Sequence, residues 1–131
     1  MATEKKRVLV VDDDREMTAI LRKVLVRENY EVLTAENGEE ALAVMQARPV
    51  PVVIADWKMP TCDGIRLIDL VKRNFPKTRV IMITAFGEVD TYMEAMNRGA
   101  FEFLSKPLNI DELKNLVNRA MTAPETHATS P

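Results

Sequence analysis

Residues 8–14, Val8-Leu9-Val10-Val11-Asp12-Asp13-Asp14, set an unbroken aliphatic run directly against three carboxylates. The same grammar recurs three times. Val52-Val53-Ile54-Ala55 runs into Asp56, Val80-Ile81-Met82-Ile83 into Thr84, and Phe101-Glu102-Phe103-Leu104 through Ser105 into Lys106. Short apolar runs bounded by polar residues read as buried strands. If the runs are parallel, all four polar clusters lie on one edge of one sheet. Open parallel sheets bind ligands in the crevice at the carboxyl ends of their strands. Carboxylates, a hydroxyl and an ammonium then converge, a set that can hold a divalent cation and handle a phosphoryl group.

Between these runs the apolar period is that of a helix. From Asp14 to Asn29 the positions Met17, Ile20, Leu21, Val24 and Leu25 form one face. A strand follows at Glu31 to Ala35, with both periodicities weakly present. Asn37 then caps a helix, with Glu40 three residues on as its capping-box partner. That helix runs to about Ala47, and Pro49 and Pro51 punctuate its end. After Asp56, the stretch Met59-Pro60-Thr61-Cys62-Asp63-Gly64 is a loop. A helix through Ile65, Ile68, Leu70 and Val71 stops before Pro76. Another, carrying Tyr92, Met93 and Met96, ends at Gly99, which suits a left-handed cap. The last helix starts at Asn109 or Asp111 and presents Leu113, Leu116, Val117 and Ala120.

Five strand–helix repeats predict an α/β fold with a parallel five-stranded sheet and helices on both faces, a flavodoxin-like (βα)5 three-layer sandwich. Right-handed crossovers and the strand order 2-1-3-4-5 place the switch point between the first and third strands. Asp12 and Asp13 then face Asp56 across the crevice. The repeats fill residues 1–121 as one domain, and Thr122 to Pro131 reads as a disordered polar tail.

The bulk numbers agree. A chain of 131 residues suits one domain, and a hydrophobic content of 47 % supports a core that is aliphatic because aromatics reach only 5 %. The 18 basic and 20 acidic residues are spread along the chain without a basic block, so direct nucleic-acid binding is not indicated. Cys62 is the only cysteine, which excludes an internal disulfide and a cysteine zinc site. No apolar stretch reaches the length of a membrane span. Met1 to Arg7 is charged and unlike a signal peptide, so the expected compartment is the cytoplasm.

Three carboxylates in one crevice repel each other, so the site must bind a cation, take up a proton or open to solvent. Magnesium fits best, being hard, octahedral and suited to carboxylates, waters and a phosphate, with manganese as an alternative. One carboxylate can act as a nucleophile and give an acyl phosphate, with Lys106 and Thr84 stabilising the transferred oxygens. Each residue alone has a plainer reading: an acidic residue after a strand is often a solvated loop residue or a helix cap, and Asp14, which starts a helix, keeps the cap reading.

With these motifs in place, the chain resembles the receiver domain of bacterial response regulators, the CheY-like family, over about Lys6 to Met121. The resemblance is carried by Val10-Val11-Asp12-Asp13-Asp14, by Asp56-Trp57-Lys58-Met59-Pro60 with Asp63-Gly64, by Thr84-Ala85 and by Lys106-Pro107. The run Thr84-Ala85-Phe86-Gly87-Glu88-Val89-Asp90 looks most like receivers attached to nitrogen-regulator-type transcriptional activators. The resemblance implies a phospho-acceptor switch in which Asp56 receives a phosphoryl group from a phosphohistidine on a sensor histidine kinase or phosphotransfer protein. It implies that Asp12, Asp13, Asp56 and the backbone carbonyl of Lys58 hold magnesium. It implies that Thr84 and Lys106 bind phosphoryl oxygens, that Phe103 is the switch aromatic, and that the bond before Pro107 is cis. Lys58 and Phe86 stand where the family tunes the lifetime of the phosphoaspartate. The module's chemistry would be its own phosphorylation and dephosphorylation rather than turnover of a substrate. Its partners would be the kinase, a downstream protein or effector domain, and a second copy in a phosphorylation-dependent homodimer, with neither nucleic acid nor membrane contacted directly.

Two other classes stay open on the sequence. Asp12-x-Asp14 with a later Thr and Lys also suits an aspartate-nucleophile phosphatase of the haloacid-dehalogenase type, although its second acidic pair could only be Asp111 and Glu112, which start a helix. A phosphorylation-independent binding module on the same fold would normally lack one of the pocket residues. A flavodoxin is disfavoured because no Ser/Thr/Gly-rich phosphate loop follows the first strand. His127, the only histidine, lies in the polar tail and Cys62 in a loop. Met59, Met82, Met93 and Met96 read as packing residues. Exposed parts of the Gly87 to Asn97 helix, the Phe101 to Leu104 strand and the last helix would form the output face.

Overall fold

Strand β1 (Arg7–Val11) lies between β2 (Glu31–Ala35) and β3 (Val52–Asp56), and β4 (Arg79–Thr84) and β5 (Glu102–Ser105) complete a parallel sheet of order β2-β1-β3-β4-β5. The computed structural model describes residues 6–56, 64–84, 96, 97 and 99–122. Within them, helices α1 (Arg15–Arg27), α2 (Gly38–Ala47), α3 (Gly64–Asn74) and α4 (Ile110–Thr122) connect or follow the strands. The helix expected around Tyr92 and Met93 falls outside the described residues except for Met96 and Asn97, which are helical.

Successive strand residues point to opposite faces of a sheet, and the two faces build two separate cores. Leu9, Val11, Val53, Ala55, Val80 and Met82 pack with Met45 of α2 and with Leu67, Ile68 and Val71 of α3. Val8, Val10, Val52, Ile54, Ile81 and Ile83 pack with Leu21 and Leu25 of α1 and with Leu113, Leu116 and Val117 of α4. β1 and β3 are covered on both sides, which is why their sequences are continuous aliphatic runs rather than alternating ones. Each fully buried Leu, Ile or Val contributes roughly 1.5–3 kcal/mol of transfer free energy.

The element ends show what local chemistry does. Asp14 caps α1, its carboxylate accepting from the amides of Glu16 and Met17. The helix spans Arg15–Arg27, shorter than the expected Asp14 to Asn29, because Asn29 turns left-handed (φ 71°) and ends it. Asn37 caps α2 through the Glu40 amide at 2.8 Å. Glu40 reaches back to the amide of Glu36 at 2.7 Å, one residue before the cap that a standard capping box would engage. Asn109 accepts from the Glu112 amide at 2.9 Å, so it caps α4. On α3 the buried stripe is Leu67, Ile68 and Val71; Leu70, expected on that face, is half-buried on its flank. Gly99 has φ 108°, so the turn before β5 needs glycine for its backbone conformation, while the nearest neighbour to an added Cβ, Lys72 Cε at 3.0 Å, is the end of a flexible side chain.

β3 and β4 run one residue further than expected and so include Asp56 and Thr84. In register, Asp56 stands beside Ile83, and Thr84 beside Ser105. β5 begins at Glu102 rather than Phe101: the Phe101 amide bonds Val80 O at 2.7 Å, but its residue lies in a bend with the Arg79 guanidinium 5.8 Å above the ring. Among the described residues no helix is long and apolar enough to cross a membrane.

Candidate functional site

The carboxyl ends of β1, β3, β4 and β5 meet at one edge of the sheet. Asp12 leaves β1 with its amide bonded to Ala35 O at 3.0 Å, so the end of β2 fixes its position. The residue is only 3 % exposed, and its Oδ1 accepts the Asp14 amide at 2.9 Å. Asp13 beside it is exposed, and Asp56 at the end of β3 is mostly buried, with 12 % of its side chain exposed. One carboxylate oxygen from each of Asp12, Asp13 and Asp56 lies within 4.8 Å of the others. Lys106 Nζ stands 3.6 Å from Asp56 Oδ2. Its amide bonds Thr84 O at 2.8 Å, which ties the lysine to the end of β4. Thr84 is 1 % exposed, and the Lys106–Pro107 bond is cis.

The electrostatics follow from this packing. Burial pushes the Asp12 carboxyl from 3.8 up to about 6; the Asp14 amide pulls it down, Asp56 raises it, Lys106 lowers it and Asp13 raises it. Burial is the main cost of charging Asp12, and a cation bound beside it would favour the ionised form. The donors are all hard oxygens, and three carboxylates against one ammonium leave negative charge that a small divalent cation neutralises. The residues therefore fit magnesium by donor chemistry as well as by number.

The structure brings together Asp12, Asp13, Asp56, Thr84 and Lys106. Lys58, with Trp57, Met59 and Cys62, lies outside the described residues, as do Phe86, Met93 and His127. Phe103 is half-buried on β5, paired in register with Met82, and lines a recess with Glu102, Glu112, Asn115, Leu116 and Arg119 against α4. Met82 is fully buried and Met96 packs against the first core, as expected of packing residues. Asp14 is committed to its cap, and Asp111 and Glu112 open α4, so among the described residues the two-pair arrangement of an aspartate phosphatase is not assembled. Sequence reasoning passed over Arg15 and Glu36, which form a 3.4 Å ion pair beside a cavity of about 300 Å³ that Asp12, Thr18, Arg22 and Thr34 also line. The available signal was position, since Glu36 directly follows β2 and Arg15 directly follows the Asp14 cap.

The response regulator receiver domain family model matches residues 8–118. The DNA-binding transcriptional regulator NtrC of Salmonella typhimurium is 37 % identical over 115 residues, 88 % of this chain and 24 % of that protein. The response regulator protein PilR of Pseudomonas aeruginosa is 32 % identical over 117 residues, 89 % of this chain and 26 % of that protein. The chain thus spans about a quarter of the length of these curated relatives. Among solved structures, the receiver domain of NtrX from Brucella abortus superposes with a TM-score of 0.85 at 32 % identity, covering 89 % of this chain and 99 % of that one. The beryllofluoride-activated NtrC4 receiver domain dimer gives 0.83 at 39 % identity, covering 88 % and 95 %. Fold, acidic pocket and matched span agree, and the chain belongs to the response regulator receiver domain family of two-component signalling.

Proposed function

We propose that Asp56 is the phospho-acceptor, taking its phosphoryl group from a phosphohistidine on a sensor histidine kinase or phosphotransfer protein. The observation that carries this reading is the 3.6 Å approach of Lys106 Nζ to Asp56 Oδ2 within the three-carboxylate cluster. Asp12 is a poorer nucleophile because burial favours its protonated form and the Asp14 amide occupies Oδ1. Asp14 is a cap. Asp56 has 12 % of its side chain open, enough for a phosphoryl group to approach from the edge of the sheet.

In the step itself an Asp56 carboxylate oxygen attacks phosphorus in line. The phosphorus–nitrogen bond of the phosphohistidine breaks, its electron pair returns to the imidazole, and an acyl phosphate remains on Asp56. Asp12, Asp13, Asp56 and the Lys58 carbonyl would hold Mg2+, or Mn2+ in its place. The cation supplies neutralisation of the phosphoryl oxygens. The Lys106 ammonium pairs with one phosphoryl oxygen and the Thr84 hydroxyl donates to another. Drawing Thr84 inward frees space that Phe103, having no hydroxyl of its own, fills by steric means alone. This biases an existing two-state equilibrium at the face made by β5 and α4, where a downstream protein, an effector domain or a second phosphorylated copy would read it. The module works in the cytoplasm and turns over only its own phosphoryl group.

Intact mass after incubation with acetyl phosphate, with and without Mg2+, tests the assignment. The expected result is one added phosphoryl group that requires both Mg2+ and Asp56 and is lost in Asp56→Asn. Stoichiometric phosphate on Asp56→Asn, mapped to the same segment, would show the acceptor to be another residue.

A further inference from the structure

Parallel strands with antiparallel crossover helices sort the chain's charges onto two opposite edges. At the edge described above, the first helical turns carry Glu16, Glu39, Glu40, Asp111 and Glu112. At the other edge, where strands begin and helices end, the last turns of α1 and α3 carry Arg27, Lys72 and Arg73. Matching of helix dipoles accounts for that part of the pattern. Arg48, the C-cap of α2, belongs to the same dipole-matched set, but Lys6, Arg7, Lys77 and Arg79, which lie on strand starts and loops of the same edge, do not. Glu31 bonds Arg7 at 3.1 Å and Arg48 at 3.0 Å, and even with Glu28 and Glu102 counted at this edge its described cations outnumber its carboxylates.

In the middle of this basic edge is a groove of about 780 Å³. Its floor is Val50 and Thr78, buried and joined by the Thr78 hydroxyl donating to Val50 O at 2.6 Å. Its walls are Pro49, Pro51, Phe75 and Pro76, and its rim is Lys6, Arg7 and Lys77. The three prolines have no N–H to offer, so the walls present apolar rings rather than hydrogen-bond donors. None of these residues belongs to the phospho-acceptor site, which lies at the far ends of the same strands.

We propose that this groove is a docking site for an acidic protein segment that carries apolar side chains. Apolar anchors bury against Phe75 and the proline rings, and flanking carboxylates meet Lys6, Arg7 and Lys77. The charge of the edge selects the sign of the partner, and the apolar walls select protein over nucleic acid, because a phosphate backbone gains nothing from three proline rings. The site is independent of Asp56, so it would serve a partner that stays attached through both states of the switch.

The test is fluorescence anisotropy with the 131-residue protein and a labelled dodecapeptide alternating glutamate with leucine and phenylalanine. Controls are a glutamate–serine peptide of equal charge, the lysine counterpart of the first peptide, and a short DNA duplex. Amide chemical shifts locate the contact. The expected result is binding of the acidic-apolar peptide alone, with shifts centred on Val50, Phe75 and Thr78. Affinity should fall about tenfold or more in Lys6→Glu/Lys77→Glu, both exposed and outside the acceptor site. Phosphorylation by acetyl phosphate in that variant reports an intact fold. No binding up to about 1 mM peptide, equal binding by the glutamate–serine peptide, or tighter binding by the duplex overturns the proposal. So does a salt-sensitive dimer that Lys77→Glu abolishes while peptide binding is absent, which would assign the groove to a second copy.

Discussion

Asp12→Asn stabilises the metal-free protein at neutral pH. In the fold the Asp12 carboxyl titrates at about 6 instead of 3.8, so the native state holds the proton more tightly than the unfolded chain. Each tenfold in that difference is worth about 1.4 kcal/mol, which sets an upper bound of about 3 kcal/mol. Below the unfolded value of 3.8 the group is protonated in both states and the term is absent. As pH rises from 3.8 to about 6 the unfolded chain ionises first, so stability falls, and above about 6 the whole cost is present. The variant cannot ionise, and its amide oxygen keeps the place of Oδ1 as acceptor for the Asp14 amide. Urea unfolding in EDTA, followed by far-UV circular dichroism, should give a midpoint higher by about 1 M at pH 7.5, and the gap should close near pH 4. Added Mg2+ should raise the wild type by about 2.7 kcal/mol at a hundredfold excess over its Kd and raise the variant less. A variant no more stable than wild type at pH 7.5, or a gap that persists unchanged at pH 4, would refute the reasoning that burial of the charge dominates the pocket.

Mg2+ binding, read by Trp57 fluorescence, should weaken as pH drops through about 6, because Asp12 gains its proton there; an unchanged affinity from pH 7.5 to 5 would remove Asp12 from the ligand set. Lys106→Ala should still take up one phosphoryl group but lose the Mg2+- and phosphate-dependent shift of Phe103 and α4 resonances, and a full shift would place the coupling elsewhere. Ile54→Ala, at a position fully buried in the second core, should cost roughly 2–5 kcal/mol in urea unfolding. Asn37→Ala should cost roughly 1 kcal/mol by removing the acceptor of the Glu40 amide, whereas Gln46→Ala, exposed in the last turn of the same helix, is the control that should move little.

Much of this fold is legible in the sequence. β1 and β3 announce themselves because strands covered on both faces must be aliphatic throughout, and each ends where the apolar run meets a carboxylate. The 2-1-3-4-5 order is expected as the natural flavodoxin-like arrangement of five strand–helix repeats. Asn37 and Asp14 were readable as caps because capping is a local interaction between near neighbours. α3 was less readable: Ile65, Ile68, Leu70 and Val71 make a plausible stripe, and only the approach of β4 and α2 shows that Leu67 belongs to it. The raised carboxyl of Asp12 was inaccessible, since it depends on how completely α1 and β2 close over it. The sorting of charge between the two edges was hidden as well. Along the chain acidic and basic residues are spread without a dominant block of either sign, and their sorting onto two edges shows only when each helix reverses the direction of the strand before it.

The in-register ladder through Asp56 and Thr84 has a consequence for how such a chain can evolve. Inserting or deleting one residue within β3 would send Asp56 to the other face and exchange the two cores' side chains at every position downstream in the strand. The strands that carry the site can therefore exchange one aliphatic side chain for another of similar size but are closed to change in length. The connections at the far ends of those strands bear no such restriction, because a lengthened surface loop adds little closure entropy. New segments, and with them new inputs, can enter the molecule there while the acceptor stays in place.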